Sequence, residues 1–181
     1  FNCSIGLATS KDGGDTFERY GKGPILGPSA NEPYVISGPK IRKFGNSYIL
    51  FYLAGEKWIN HNNRPEIIYK IKMAFSKDGI NWLKHDQNII DDILGPNECQ
   101  AGPDVFYKDE VPIHRREDDD DYDADFEQDD ENVGIDYSDE GWDSKMHHYP
   151  HVFKLDDKWY MLYNGNEFGK YGFGLAVLED E

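Results

Sequence analysis

The sequence predicts an all-β chain built from repeated units, each with about four short antiparallel strands, which is the pattern of β-propeller blades. Two observations predict this fold: short strings of residues that return along the chain, and aromatic-rich segments of strand length that follow them. Helical periodicity is nearly absent, which agrees with the same fold class. A generic all-β domain with coincidental turns is the alternative interpretation.

Two strings recur at nearly the same spacing. Ile-Leu-Gly-Pro begins at Ile25 and returns at Ile93. Ser-Lys-Asp-Gly begins at Ser10 and returns at Ser76. A shared period of this kind indicates a repeat architecture, in which each unit buries its apolar face against its neighbours.

A third string places proline before a polar residue and an aliphatic residue. It occurs at residues 38–41, 102–105 and 149–152. The β-branched and aromatic residues that follow are typical of strands. Predicted strands cover residues 48–52, 71–76, 159–163 and 172–177, and residues 4–9 have the same character. Residues 16–18 and 81–83 mark the last strand of a unit.

We predict one propeller domain over residues 1–181, with units that differ in completeness. Residues 1–24 are the end of a truncated blade, 25–92 a full unit, 93–141 a damaged unit and 142–181 a C-terminal unit. The interval from Pro103 to Pro150 is clearly shorter than the interval from Pro39 to Pro103. The third unit therefore lacks about one hairpin.

Composition predicts a folded, soluble protein and disfavours two kinds of partner. Hydrophobic residues form 38% of the 181 residues, which is enough for a core. No apolar run reaches the length of about eighteen residues that a membrane span needs. A formal net charge of −16 disfavours nucleic acid, whose phosphates require clustered cations. Cys3 and Cys99 are predicted to be free thiols, and localisation stays open.

Much of the negative charge lies in one segment. Eleven of the 35 acidic residues fall in residues 117–131, where no basic residue occurs. We predict a solvated loop there, because such a charge block cannot form an inner strand. A calcium site is the alternative, but the run lacks the turn glycine and terminal glutamate of an EF-hand loop.

Several of these strings resemble the five-bladed propeller glycosidases, a superfamily that includes arabinanases, β-xylosidases, invertases, levansucrases and relatives found beside polysaccharide genes. The strings are Glu-Cys-Gln-Ala-Gly-Pro-Asp-Val-Phe at 98–106 and the segments at 149–153 and 159–165. The resemblance implies five blades, an oligo- or polysaccharide ligand and no cofactor. It also implies that a second chain or an oligomer completes the ring if this chain is not a fragment, since an open sheet edge is a hazard.

Hydrolysis of a glycosidic bond uses two carboxyl groups across the scissile bond. Glu98 resembles the proton donor in the Glu-Cys-Pro-Asp string of invertase-like members, and Asp104 resembles the aspartate that orients the acid in arabinanase-like members. Glu32, the repeat equivalent of Glu98, is a third candidate. Alternatively, these acids cap turns or bind strand-end amides. Lys145 stands where related sequences often carry glutamate.

Aromatic residues near strand ends are predicted to rim the sugar site, because flat rings pack on the apolar faces of sugars. The predicted substrate-binding residues are Trp58, Trp142, Tyr149, His151 and Phe168. Tyr48, Phe51, Tyr160 and Tyr163 are assigned instead to the core. A zinc site among His147, His148 and His151 is disfavoured, because adjacent residues of a strand face opposite sides.

Together these features predict a carbohydrate-active protein, a glycoside hydrolase with Glu98 as proton donor and Asp104 as its orienting partner. The alternative is a non-catalytic sugar-binding or scaffold propeller. Lys145 and the damaged third unit favour this alternative. The sequence leaves open the sugar and the anomeric outcome.

Overall fold

The computed structural model describes residues 2–85, 87–92, 95–100, 102–105 and 135–178. The chain divides into an N-terminal unit (Phe1–Pro103) and a C-terminal unit (Asp104–Glu181). Antiparallel sheets make up both units, and the helical content of the described residues is one short turn. The predicted all-β fold is confirmed. The single propeller domain stays a prediction, and the acidic run at 117–131 lies outside the described residues.

The N-terminal unit contains two sheets. The first pairs β1 (Ala8–Thr9) with β2 (Glu18–Arg19). The second has four strands in the spatial order β3 (Ile36–Phe44), β4 (Ser47–His61), β5 (Arg64–Ser76) and β6 (Leu83–Lys84). The strands predicted at 48–52 and 71–76 lie within β4 and β5, and this part of the chain forms a four-stranded antiparallel sheet.

The C-terminal unit contains one sheet of three described strands. Its spatial order is β7 (His148–Leu155), β8 (Lys158–Asn164) and β9 (Phe173–Val177), and the single turn α1 (Asn166–Gly169) joins β8 to β9. The strands predicted at 159–163 and 172–177 correspond to β8 and β9. No helix in the described part of the chain has the length and apolar character needed to cross a membrane.

Two-residue turns close the long hairpins. Phe44 pairs with Ser47, His61 with Arg64 and Leu155 with Lys158, which leaves two residues in each loop. The loop residues Asn62, Asn63, Asp156 and Asp157 all have positive φ, between 48° and 64°. Asn and Asp tolerate this conformation, and the resulting turn matches the right-handed twist of the strands.

One cluster of the core of the N-terminal unit lies on one face of β4, whose other face is also buried at Ile49 and Phe51. Leu50, Tyr52 and Ala54 alternate along that strand and are at most 3% exposed. They pack with Ile36 of β3 and Ala74 of β5 in one cluster. Period-two alternation puts these side chains on the same face of the sheet, which explains why the aromatic-rich segment forms a buried central strand.

The hairpins β3–β4 and β7–β8 are structural repeats of one another. A bulge between Ser37 and Lys40 of β3 recurs between His148 and His151 of β7, which is the same position in the repeat. A bulge re-aims the side chains beside it and increases the local twist. The recurrence predicted from the proline strings is therefore confirmed at the level of strand register for these two hairpins.

The residue before proline adopts a left-handed backbone in all three strings. Its φ is 61° at Gly38, 69° at Gly102 and 53° at Tyr149. Glycine adopts this conformation freely, whereas a side chain such as that of Tyr149 is strained there. Strained residues often mark functional sites, because the surrounding structure must hold them in place.

Candidate functional site

Glu32 is a buried carboxylate in the loop before β3. Ser29 and Glu32 exchange backbone hydrogen bonds of 3.0 and 3.2 Å, which close the loop into a turn. The Glu32 side chain is 5% exposed, accepts a hydrogen bond of 2.9 Å from the Tyr52 hydroxyl and lies 2.5 Å from Lys84 Nζ. This predicted catalytic candidate is therefore paired inside the N-terminal unit.

A similar arrangement occurs in the C-terminal unit. Asp143 Oδ2 accepts a 3.1 Å hydrogen bond from the hydroxyl of Tyr163. Along the chain, Asp143 follows Glu32 by the same interval by which Tyr163 follows Tyr52. His147 Nε2 lies 3.8 Å from the same carboxylate oxygen and has no hydrogen-bond partner within the described residues. A carboxylate–tyrosine pair thus recurs with the repeat.

Hydrogen bonding fixes the protonation of this second pair. A hydrogen bond from Ser138 and another from Tyr163 lower the pKa of Asp143 below its usual range. Burial and the hydrogen bond to Asp143 raise the pKa of Tyr163. At neutral pH the carboxyl group is therefore ionised and the phenol protonated. An ionised carboxylate cannot act as a general acid, so Asp143 is not suited to protonate a leaving group.

Glu98 lies in the segment that follows the Ile-Leu-Gly-Pro string. Its side chain is half-buried. Its backbone N–H donates to the Gly95 carbonyl at 2.9 Å, and its carbonyl accepts from Lys70 Nζ at 3.0 Å. These bonds hold the backbone of the predicted proton donor against β5.

Two buried lysines on β5 were not anticipated from the sequence. Lys70 and Lys72 are 3% and 5% exposed, and they share one face of the strand because they are two residues apart. Lys70 is ion-paired with Asp92, and Lys72 Nζ lies 2.8 Å from Glu56. Lysine is rarely buried unless it is paired, so these ionic contacts account for its position. The short alternation of Lys70 and Lys72 with Ile71 and Met73 within β5 is the signal that could have revealed them.

Asp104 and His151, both predicted site residues, lie close together in the C-terminal unit. The Asp104 side chain is 2% exposed, and its Oδ2 accepts a 2.5 Å hydrogen bond from the backbone N–H of Val152. His151 Nδ1 lies 3.7 Å from the same oxygen. Asp104 therefore fixes the bulged start of β7, where Tyr149 has its strained backbone.

An open groove in the C-terminal unit contains two of the predicted aromatic residues, Trp142 and Phe168. Its volume is about 740 Å³. The lining residues are Gly141, Trp142, Ser144, Lys145, Met146, Asn166, Glu167, Phe168 and Tyr171. Two short segments therefore form the walls, one before β7 and one around α1. Asn166, Glu167 and Tyr171 were not predicted as site residues, because loop residues carry no periodic signal.

Close packing holds Trp142 in the groove wall. Its ring stacks on Tyr163 with centroids 5.6 Å apart and an angle of 23° between the planes. A β-carbon at Gly165 would lie 2.4 Å from the indole, and one at Gly174 would lie 2.7 Å from it. Only glycine at these two positions lets the ring lie against the backbone of the sheet.

Asn166 joins the two walls of the groove. Its side chain accepts from the Lys145 backbone N–H at 2.8 Å and donates to the Gly141 carbonyl at 2.9 Å. Its backbone N–H donates to the Trp142 carbonyl at 2.7 Å. Three hydrogen bonds from one residue fix the segment that carries Trp142 and Lys145, so the wall is preorganised.

The rings of Phe168 and Tyr171 face solvent at the groove. They are 62% and 60% exposed. Phe168 has a left-handed backbone with φ 57°, and its ring packs edge-on against His148 with centroids 5.3 Å apart. His148 also contacts the ring of Tyr149 at 5.6 Å. Predicted residues Phe168 and Tyr149 are therefore joined through His148.

Trp58 belongs to the N-terminal unit and lies near the C-terminal end of β4. Its ring is 42% exposed and packs edge-on against Tyr34 with centroids 6.2 Å apart. The prediction that it rims a sugar site stays a prediction. Among the described residues, no three His, Cys, Asp or Glu side chains converge to hold a metal ion.

Sequence comparison links the chain to longer proteins. No family model matches it. It is 32% identical over 191 residues to an uncharacterized protein of Mycobacterium tuberculosis, and the match covers 98% of the chain. The chain spans 62% of the length of that relative. It is also 33% identical over 87 residues to β-1,2-mannobiose phosphorylase of Thermoanaerobacter sp., covering 47% of the chain and 26% of that enzyme.

Structure comparison gives distant similarities. One solved structure, a complex of BT0996 with RGII, matches 96% of the chain and 34% of its own length with a TM-score of 0.39 and 19% identity. Another, a glycoside hydrolase, matches 98% of the chain and 36% of its own length with a TM-score of 0.37 and 19% identity.

Proposed function

We propose that the protein is carbohydrate-active and that the groove of the C-terminal unit binds a sugar. The observation that carries this proposal is the exposure of two aromatic rings, Phe168 and Tyr171, beside the fixed ring of Trp142. Apolar residues scattered singly on a surface are common, whereas exposed apolar groups gathered in one groove are typical of a ligand-binding site. A sugar fits this surface, since its C–H faces pack on rings while its hydroxyl groups need polar partners.

Groove size and polarity support a sugar ligand. Its volume of about 740 Å³ falls within the range of about 300–1,000 Å³ for small-molecule sites. Ser144, Lys145 and Glu167 supply donors and acceptors along the same surface. The hydrogen bonds of Asn166 fix one wall before ligand arrives, which reduces the ordering cost of binding. Similarity to a phosphorylase of mannobiose is consistent with a carbohydrate ligand.

For the whole protein we propose a five-bladed propeller. The repeated hairpin, with its shared bulge and left-handed residue before proline, supports this architecture. The four-stranded sheet of the N-terminal unit has the form of one blade. Further blades would come from a longer protein or from a second chain, because the two units alone cannot close a ring.

For catalysis we propose a glycoside hydrolase with Glu98 as proton donor and Asp104 as its orienting partner. Burial of the Asp104 side chain and the fixed backbone of Glu98 support these roles. We assign Glu32 a structural role instead, because Lys84 and Tyr52 bind its carboxylate.

A non-catalytic sugar-binding protein is the second candidate. The observation that favours it is that Glu32, Asp104 and Asp143 each accept hydrogen bonds from the protein itself. Carboxylates engaged in this way support folded structure rather than proton transfer.

Calorimetry with a sugar panel, run beside assays of hydrolysis and of phosphate-dependent cleavage, tests the proposal. Binding with turnover that Glu98→Gln abolishes, while circular dichroism stays unchanged, supports the hydrolase. Binding without turnover supports the second candidate. Absence of binding to every sugar, by a protein that is folded, would overturn both.

A further inference from the structure

We infer that the groove selects a sugar that carries an anionic substituent, and that Lys145 is the residue that selects it. This inference rests on the proposed function, because it adds a substrate class to the same groove. Lys145 is exposed and lines the groove beside Trp142 and Phe168. As a lining residue, Lys145 brings a cation beside the space that the ligand would occupy.

The position of Lys145 is fixed by its neighbours. Its backbone N–H donates to Asn166 Oδ1 at 2.8 Å, and Asn166 also bonds to Gly141 at the start of the same segment. The four-carbon side chain therefore starts from an anchored Cα. An anchored cation loses less conformational entropy on binding an anion than a cation on a mobile loop.

The acidic residue of the groove is already paired. Glu167 accepts a 2.7 Å hydrogen bond from Lys170 Nζ and a 3.3 Å hydrogen bond from the Tyr171 hydroxyl. The bond to Glu167 raises the pKa of Lys170, which agrees with a favourable ion pair. The negative charge of Glu167 is thus neutralised by a residue of its own turn, rather than by Lys145.

Asp143 lies between two lining residues in the sequence, but it is buried at 6% exposure, is bonded to Tyr163 and does not itself line the groove. Among the described lining residues, Lys145 is therefore the charged group left for a ligand. A neutral sugar would leave its charge to water. A carboxylate or phosphate group on the sugar would form a charge-assisted hydrogen bond with it.

At physiological salt, charges close to the ligand determine whether the groove prefers an anionic sugar to a neutral one. The whole chain has a formal net charge of −16, which repels anions at long range. At 0.15 M salt the Debye length is about 8 Å, so distant acids are screened while a cation in contact with the ligand acts fully. An exposed charge pair of this kind contributes about 1 kcal/mol, which is about fivefold in affinity.

Matched pairs of sugars test the inference by calorimetry at 0.15 M salt. The pairs are glucose with glucuronate, galactose with galacturonate and mannose with mannuronate, and each hexose is also tested as its 6-phosphate. We expect the acidic member of at least one pair to bind about fivefold more tightly than the neutral member. Preference for the carboxylate over the phosphate, or the reverse, identifies the substituent.

Variants assign the preference to Lys145. Lys145→Met retains the apolar part of the side chain and should lower affinity for the acidic sugar more than affinity for the neutral sugar, so that the preference is lost, while Lys145→Glu should reverse it. Lys154→Met is the matched control, because Lys154 is exposed in the same unit, pairs with Asp157 and does not line the groove. It should leave the preference unchanged.

Three results separate this inference from the proposed function. If neutral sugars bind as tightly as acidic ones, or if Lys145→Met keeps the preference, the inference is wrong while sugar binding by the groove stands. If no member of any pair binds while a neutral sugar of the wider panel does, the inference is also wrong and the proposed function stands. If no sugar of the panel binds, both fail.

Discussion

Replacement of Gly165 by alanine should destabilise the protein, because the groove wall has no room for a β-carbon. That atom would lie 2.4 Å from Cε3 and 2.5 Å from the carbonyl oxygen of Trp142. The φ of Gly165 is −92°, outside the left-handed region that favours glycine, so the expected effect is mainly the steric contact. The indole can rotate slightly, but the Trp142 carbonyl oxygen accepts a hydrogen bond of 2.7 Å from the Asn166 backbone N–H and cannot move without disturbing that bond.

Forcing one carbon into such a contact costs about 1–3 kcal/mol. Urea unfolding followed by tryptophan fluorescence should show a loss of that size in the free energy of unfolding. Gly23→Ala is the control, because a β-carbon at Gly23 meets nothing within 4 Å, and it should change stability by less than about 0.5 kcal/mol. Equal stability of the two variants would refute the packing of Trp142 on Gly165.

Three further outcomes are expected from variants outside the groove. Lys84→Met should lower the free energy of unfolding by about 3 kcal/mol, because it leaves the Glu32 carboxylate buried without a cation. Adding Glu32→Gln to this variant should restore much of the lost stability in thermal unfolding. Tyr149→Gly should be more stable than Tyr149→Ala by about 1 kcal/mol in urea unfolding, because φ is 53° at this position; equal stability would argue against the left-handed backbone. Hydrogen bonds from the backbone of Asn81 and Ile80 lower the pKa of Asp78. The stability that ionised Asp78 gives the folded protein is therefore present above the ordinary pKa of about 3.9, and it is lost as pH falls through the lowered folded-state pKa. Asp78→Asn should therefore be less stable than the parent at pH 7, and a difference that did not shrink below about pH 4 would contradict this linkage.

The strands were predictable because their signal is local. Aromatic and β-branched residues in β4 and β8 alternate around short polar turns, and both strands lie where the pattern places them. The turn residues Asn62 and Asn63 are also readable from the sequence, since few residues tolerate their positive φ.

The ion pairs of the N-terminal unit were not predictable in the same way. Glu32 and Lys84 are far apart along the chain, and only the folded sheet brings β6 next to the loop before β3. The pairing of Asp143 with Tyr163, by contrast, was predictable from the repeat. Asp143 follows Glu32 by the same number of residues as Tyr163 follows Tyr52.

The groove was predictable in part. Trp142 and Phe168 were predicted as site residues because they lie near strand ends, and both line the groove. Asn166 and Tyr171 were missed, because their roles depend on a turn in which two residues have left-handed backbones. Glu167 and Phe168, unlike glycine or asparagine, give no sequence signal for such a conformation.

Sugar binding by the groove is tested most directly by comparing two exposed phenylalanines of the C-terminal unit. Phe168 lines the groove at 62% exposure, whereas Phe173 is 70% exposed on β9 and does not line it. With the sugar that binds best in calorimetry, Phe168→Ala should weaken affinity by at least about tenfold, and Phe173→Ala should leave it unchanged. Equal affinities for the two variants would contradict the assignment of this groove as the sugar site.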